Sequence, residues 1–309
     1  MKKTLSLVIF LFLLFSIFNG CKAESMTLIT ELSSIKSVNY NNYSRVNNLD
    51  AYGGIVVFVR DLNLLTKMTI YMDSEKIATI KGAISDCQIS CGGVYYRNNN
   101  NLFFFDVVTR KNKLIKENAL DYCVFNNETI YVLSKGEIIV LDTSATELKR
   151  ISNVEDYIVS KDKLYYVDSN KMLKAVSHDD FSVQDICKVD VNIFNLNVCG
   201  SKLIYVRENA IVSVDLSTGE LNRMSASVSA YYKMDIVCDV ESIYLTTHKM
   251  NVEDSLPEKL NDENNGVWKI NYETGEKTKI SDKTYDQLYL FDDILFGFDK
   301  NKGITDALI

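Results

Sequence analysis

Seven short runs of β-branched and aromatic residues recur along the 309-residue chain at nearly constant spacing. They centre on Val57, Tyr95, Tyr131, Tyr165, Tyr205, Tyr244 and Leu295, at separations of 38, 36, 34, 40, 39 and 51 residues. Lys163–Asp168 is the clearest copy. Such runs suit a pleated, half-buried strand. A second run follows each of several anchors and ends in Asp or Asn: Leu102–Asp106, Ile138–Asp142, Ile211–Asp215 and Val267–Asn271. Turn signals come next, plainest in Ser217–Glu220 and Glu273–Glu276, where an Asx side chain can bond the backbone ahead and Gly accepts positive φ. A last short run closes the unit, as in Leu114–Ile115, Leu148–Ile151 and Lys279–Ile280.

Four short antiparallel strands in about 40 residues is the period of a propeller blade. The chain therefore reads as all-β, a β-propeller of seven four-stranded blades, with six blades as the alternative. A β-sandwich would not keep returning to one strand–turn–strand–Asx order. The blades run over 45–83, 84–118, 119–153, 154–188, 189–226, 227–282 and 283–309. The last is too short for a full set of strands, and an open ring would expose an edge. We therefore predict that a strand within residues 26–38 completes it.

Residues 1–20 read as a secretion signal. Lys2 and Lys3 precede an apolar core of 14 residues, Leu5–Phe18, broken only by Ser6 and Ser16. That core falls short of the roughly 20 residues a spanning helix needs. Asn19-Gly20-Cys21 ends it and resembles the lipobox of bacterial lipoproteins. Gly20 and Cys21 match that motif, whereas Phe18 and Asn19 depart from it. The resemblance implies that Cys21 becomes an acylated, palmitate-bearing N-terminus holding the protein outside the bacterial cell membrane. The alternative is ordinary cleavage, with Cys21 an incidental thiol. Residues 21–44 would then be the tether and ring-closing segment, and 45–309 the propeller.

Charge narrows the partners. Without residues 1–20 the basic count falls from 34 to 32, the acidic count stays at 41, and net charge goes from −7 to −9. That balance argues against nucleic acid and against electrostatic adhesion to anionic lipid. We expect a monomer. Beyond Cys21 there are six cysteines, four of them (Cys87, Cys123, Cys199 and Cys238) six or eight residues before an anchor. The spacing favours buried thiols on innermost strands over disulfides. Cys87 and Cys91 lack the partners a structural zinc requires. His178 sits at a hairpin turn and reads as a turn residue. Nucleophile elbows, phosphate loops and calcium loops are absent from the sequence, and no cofactor, metal or catalytic residue is expected.

The sixth unit is exceptional. Tyr244 to Val267 spans 23 residues, against 7 from Tyr131 to Ile138. This longer loop carries His248, Glu253, Asp254, Glu258, Asp262 and Glu263, with the only proline, Pro257. It falls between the second and third strands, on the face of the inter-blade connections. Loops on a rigid scaffold are where function concentrates. These six residues are the candidate binding loop; the bland alternative is a solvated acidic insertion.

The blade pattern, plainest in Val267–Ser281, resembles bacterial propellers of unknown function similar to the YWTD propeller of the low-density-lipoprotein receptor. The resemblance covers most of residues 50–300. The Tyr-Trp-Thr-Asp tetrad itself is missing, with Tyr-Tyr-Val and Tyr-Val-Leu in its place. The resemblance implies a secreted binding module and transfers no site residue. Two expectations follow: an envelope scaffold recognising a protein, peptide or glycan, or an extracytoplasmic polysaccharide lyase or hydrolase with acid residues lining the channel. Two or more carboxylates with raised pKa beside His or Arg would favour the enzyme.

Overall fold

The computed structural model describes residues 28–36, 47–62, 65–90, 92–189, 194–207, 210–224, 232–249, 265–300 and 303–309. Among them are seven antiparallel sheets, six of four strands and a last one of three, each built from consecutive strands. First strands of neighbouring blades touch, as Leu49–Tyr52 touches Ile84–Ser90 and Tyr232–Cys238 touches Gln287–Phe291. They therefore surround the axis of the ring. The blade limits read from the repeat agree with the observed sheets to within a few residues.

The chain has no single central core. It has seven, one between each pair of neighbouring blades. Ile55, Val57 and Met68 of blade 1 meet Cys87 and Ile89 of blade 2. Tyr95 and Leu102 of blade 2 meet Tyr122 and Val124 of blade 3. The other interfaces follow suit, so strands such as Glu137–Asp142 are buried on both faces. This explains why the anchors read as continuous apolar runs rather than clean alternation. The Asx turns form as expected. Asp106, Asp142, Asp215 and Asn271 each accept two or more hydrogen bonds through Oδ1 from atoms two to four residues on. Gly219 and Gly275 supply the positive φ, at 73° and 71°.

The predicted ring-closing strand is a correction. Residues 28–33 form a short helix instead. Ile29, Leu32 and Ile35 are 5%, 0% and 2% exposed, three residues apart, which is a helical and not a strand period. Leu32 and Ile35 enter the seventh core, joining Leu49, Ala51 and Val56 of blade 1 to Tyr289, Phe291, Phe296 and Phe298 of blade 7. Full burial of Leu32 contributes about 2 kcal/mol. Hydrogen bonds reinforce the seam: Lys36 N to Asp292 Oδ2 at 2.8 Å, Asn48 N to Tyr289 Oη at 2.8 Å, and Asp61 N to the Lys300 carbonyl at 3.2 Å. The ring closes through packing, with blade 7 left at three strands among the described residues.

Candidate functional site

The interface between blades 2 and 3 holds polar groups at both ends. One end is that of the inter-blade connections. Here Asp86 of the first strand lies opposite Arg97 of the second. Arg97 Nε donates to Asp86 Oδ2 at 2.5 Å, Nη2 also sits against that oxygen, and the Arg97 amide donates to Oδ1 at 3.3 Å. Nη1 reaches the Ala119 carbonyl of the connection to blade 3 at 3.5 Å. Burial pushes the Asp86 carboxyl up and Arg97 pulls it back. Asp121 and Asp156 occupy the corresponding place in blades 3 and 4, thirty-five and seventy residues further on. Each accepts the amide of the residue after it, at 2.8 Å. Burial raises both carboxyls to about 7, with the Asp86 charge adding to the effect at Asp121. Tyr157 is 1% exposed and its hydroxyl has no partner among the described residues, whereas Tyr122, its counterpart in blade 3, donates to the Tyr95 carbonyl at 2.8 Å.

Several other polar groups of the first strands tie one blade to the next. Asp50 accepts the Ile89 amide at 2.5 Å, and Asp235 accepts the Leu288 amide at 2.8 Å. Gln88 donates to the Val124 carbonyl and accepts its amide, both at 2.8 Å. Together these groups form a polar collar around the axis.

The other end of the same interface, at the strand 1–2 and 3–4 turns, is open. A cavity of about 480 Å³ lies there, with Tyr95, Phe104, Lys111 and Lys113 of blade 2 and Asn127 and Thr143 of blade 3 among its walls. The register explains the lining. Gln88, Tyr95, Phe104 and Lys113 form one row across the four strands of blade 2, and Ser90, Gly93, Asp106 and Lys111 form the next. Both rows face blade 3. Ser90 Oγ bridges to Asn127 Oδ1 at 2.8 Å, and Lys113 Nζ reaches the Ser144 carbonyl at 3.4 Å. Asp106 stays anionic because the Thr109 and Val108 amides hold its carboxyl below the usual range.

Of the sequence candidates, His248 is not in a loop. The second strand of blade 6 extends over Ser242–Lys249, and His248 pairs in register with Lys233. Glu253, Asp254, Glu258, Asp262 and Glu263 lie outside the described residues. His178 is a turn residue, as expected, but it is also packed. Its ring stacks on Phe125 with centroids 3.8 Å apart. Nε2 faces the Ser160 carbonyl at 3.0 Å, so Nε2 carries the proton and Nδ1 accepts from Tyr131 Oη at 2.7 Å. Burial lowers its pKa, which suits a fixed neutral ring. Cys87, Cys123, Cys199 and Cys238 are buried thiols outside any disulfide, as the spacing suggests, although they face alternate neighbours.

Sequence reasoning missed the collar and the cavity. The recurrence of Asp86, Asp121 and Asp156 at a fixed interval was a usable signal. So was the run Arg110-Lys111-Asn112-Lys113-Leu114-Ile115-Lys116, a local basic cluster in an acidic chain.

No protein-family model matches the sequence, and no curated protein matches it. The fold resembles solved structures at low identity. BamB from Moraxella catarrhalis superposes with a TM-score of 0.56 at 12% identity, over 82% of this chain and 81% of that one. The extracellular domain of the one component system BT4673 from B. thetaiotaomicron gives 0.57 at 12%, over 82% of this chain and 40% of that one. The computationally designed Ika8 protein gives 0.54 at 12%, over 86% and 97%. These likenesses concern the fold.

Proposed function

We propose that this chain is a lipid-tethered propeller, held through Cys21 on the outer side of a bacterial cell membrane, that binds a protein, peptide or glycan of the cell envelope. One observation carries the binding part. Asp50, Gln88 and Asp235 near the axis are already committed to neighbouring blades, whereas the cavity between blades 2 and 3 presents charged and aromatic groups to open space. A preformed concave site with a few placed polar groups is the usual form of a ligand site. The Lys2–Cys21 leader supports the tether. Labelled palmitate should enter the wild-type chain and not Cys21→Ala, and the wild-type protein alone should sediment with membranes. Equal labelling of both would remove the tether. Failure of the purified chain to retain any envelope component would remove the binding role.

A second reading has its own support. Asp121, raised to about 7, lies near the Asp86–Arg97 pair and near Asp156, itself raised to about 7, a grouping that an extracytoplasmic lyase or hydrolase of polysaccharide would require. Carboxyls that titrate near neutral pH can both take and give a proton there. This reading requires measurable cleavage of a polysaccharide, lost in Asp121→Asn and in Asp156→Asn. Tyr157, with its unpartnered hydroxyl, is the further group to test.

A further inference from the structure

We infer that the cavity between blades 2 and 3 is a binding site for an acidic saccharide, a sugar ring bearing a carboxylate. The inference rests on the binding reading above and names its ligand and place.

Gly93 sets how the Phe104 ring sits at the wall of the cavity. The first residue of the second strand is Ile55, Gly93, Thr129, Lys163, Lys202, Ser242 and Ile294 in blades 1 to 7, so only blade 2 lacks a side chain there. A Cβ on Gly93 would lie 2.6 Å from the Phe104 ring and 2.2 Å from the Phe105 carbonyl oxygen. Phe104 thus lies over the place a side chain would fill. Its ring stands 4.8 Å from that of Tyr95, tilted by 47°. Two rings set at an angle form a corner, and the C–H faces of a sugar pack well against the electron-rich faces of such rings.

The polar groups fit the same ligand. Tyr95 is 3% exposed and lines the cavity. Lys111 and Lys113 border the cavity, and neither forms an ion pair among the described residues. In a chain of net charge −7, two unpaired ammonium groups on adjacent rows single out an anion. Asp106 offsets one of them, leaving the walls with a net single positive charge to match one carboxylate. Elsewhere in the lining, Thr109, Asn127 and Thr143 offer the short hydroxyl and amide groups that sugar hydroxyls pair with.

The test uses the full-length chain in detergent and a uronic-acid disaccharide, with the carboxyl-reduced neutral disaccharide as control. Ligand-observed NMR should show the acidic sugar bound and the neutral one bound at least tenfold more weakly. Lys111→Met with Lys113→Met, both at exposed positions, should weaken the acidic sugar by roughly tenfold or more, the size of one charge-assisted hydrogen bond. Phe104→Leu should weaken both sugars together. Gly93→Ala is avoided because the chain around it would have to move. Equal binding of the two sugars, or an unchanged lysine double variant, would overturn the inference. So would failure of the acidic sugar in a preparation that still retains envelope material; in that case the broader binding role survives. Loss of both would take the binding role with it.

Discussion

Arg97 and Lys113 belong to the same blade and face the same neighbour, yet they meet opposite conditions. Arg97 is 5% exposed and anchored to Asp86 and the connection to blade 3. Lys113 is exposed, with one long contact to a carbonyl. At the connection end of this interface, Asp86, Arg97 and Tyr122 are matched to other parts of the protein. At the turn end, the Phe104 ring and the Phe105 carbonyl take the place of a side chain at Gly93, and Lys111 and Lys113 border the open cavity beside them. The lesson is that charge near the axis of a propeller does not by itself mark a site. Availability does, and here the two ends separate cohesion from availability.

The sharpest way to break this contrast is Arg97→Ala. It strands the buried Asp86 carboxylate and should cost about 3–5 kcal/mol. Replacing both partners together, Asp86→Leu with Arg97→Met, should cost much less. Denaturant midpoints would show this, and a loss under 1 kcal/mol for Arg97→Ala would mean the pair does not hold the blades.

Asp121→Asn comes next. A carboxyl raised to about 7 binds its proton more tightly in the folded chain than in the unfolded one. Its contribution is therefore complete at acid pH, below the unfolded value near 4, and is lost as pH rises to about 7. His178, lowered by burial, works in the opposite sense below about 6.5. Comparing wild type with Asp121→Asn removes that background. The variant should gain on the order of 1–3 kcal/mol at pH 8 and close to nothing at pH 3. Equal gains at both pH values would show that Asp121 is not held protonated.

Tyr157→Phe should be smaller still. Removing a buried hydroxyl that lacks a partner should stabilise by about 1 kcal/mol, whereas Tyr122→Phe, which loses its bond to the Tyr95 carbonyl, should destabilise by about the same. Thermal melts that moved in the same direction would contradict the contrast between these equivalent positions. The smallest effect belongs to the turn end. Lys111→Ala and Lys113→Ala should leave stability within about 0.5 kcal/mol. A larger loss would place these lysines among the groups that hold the fold.

Much of the architecture was legible before the coordinates. Anchor spacing, Asx turns and the glycines at 219 and 275 all encode local structure, and local structure repeated seven times leaves few closed arrangements. The seam is legible too: Ile29, Leu32 and Ile35 recur every three residues, a helical period that outweighs the β-branching of the two isoleucines. The collar was harder. Its aspartates recur, but their pairing depends on which face of each strand meets the next blade, and the bulges between Ile84 and Asp86 and between Val154 and Asp156 shift that assignment. The cavity depends on how Phe104, lying over Gly93, packs with its neighbours in blades 2 and 3, which no linear pattern records. The acidic loop beyond Lys249 lies outside the described residues, so its five carboxylates remain a proposal from sequence.

The seam also sets an order of events during synthesis. Lys36 binds Asp292 across 256 positions, and Leu32 shares its core with Phe296 and Phe298. A chain made from its N-terminus forward shows the apolar flank of Leu49, Ala51 and Val56 to solvent until the last aromatic residues have been added. Every later blade can stack on a neighbour already made, but the first has nothing on its outer side until the end. A nascent chain halted before Tyr289 is therefore a sticky, unclosed arc, and the time spent in that state grows with every blade placed between.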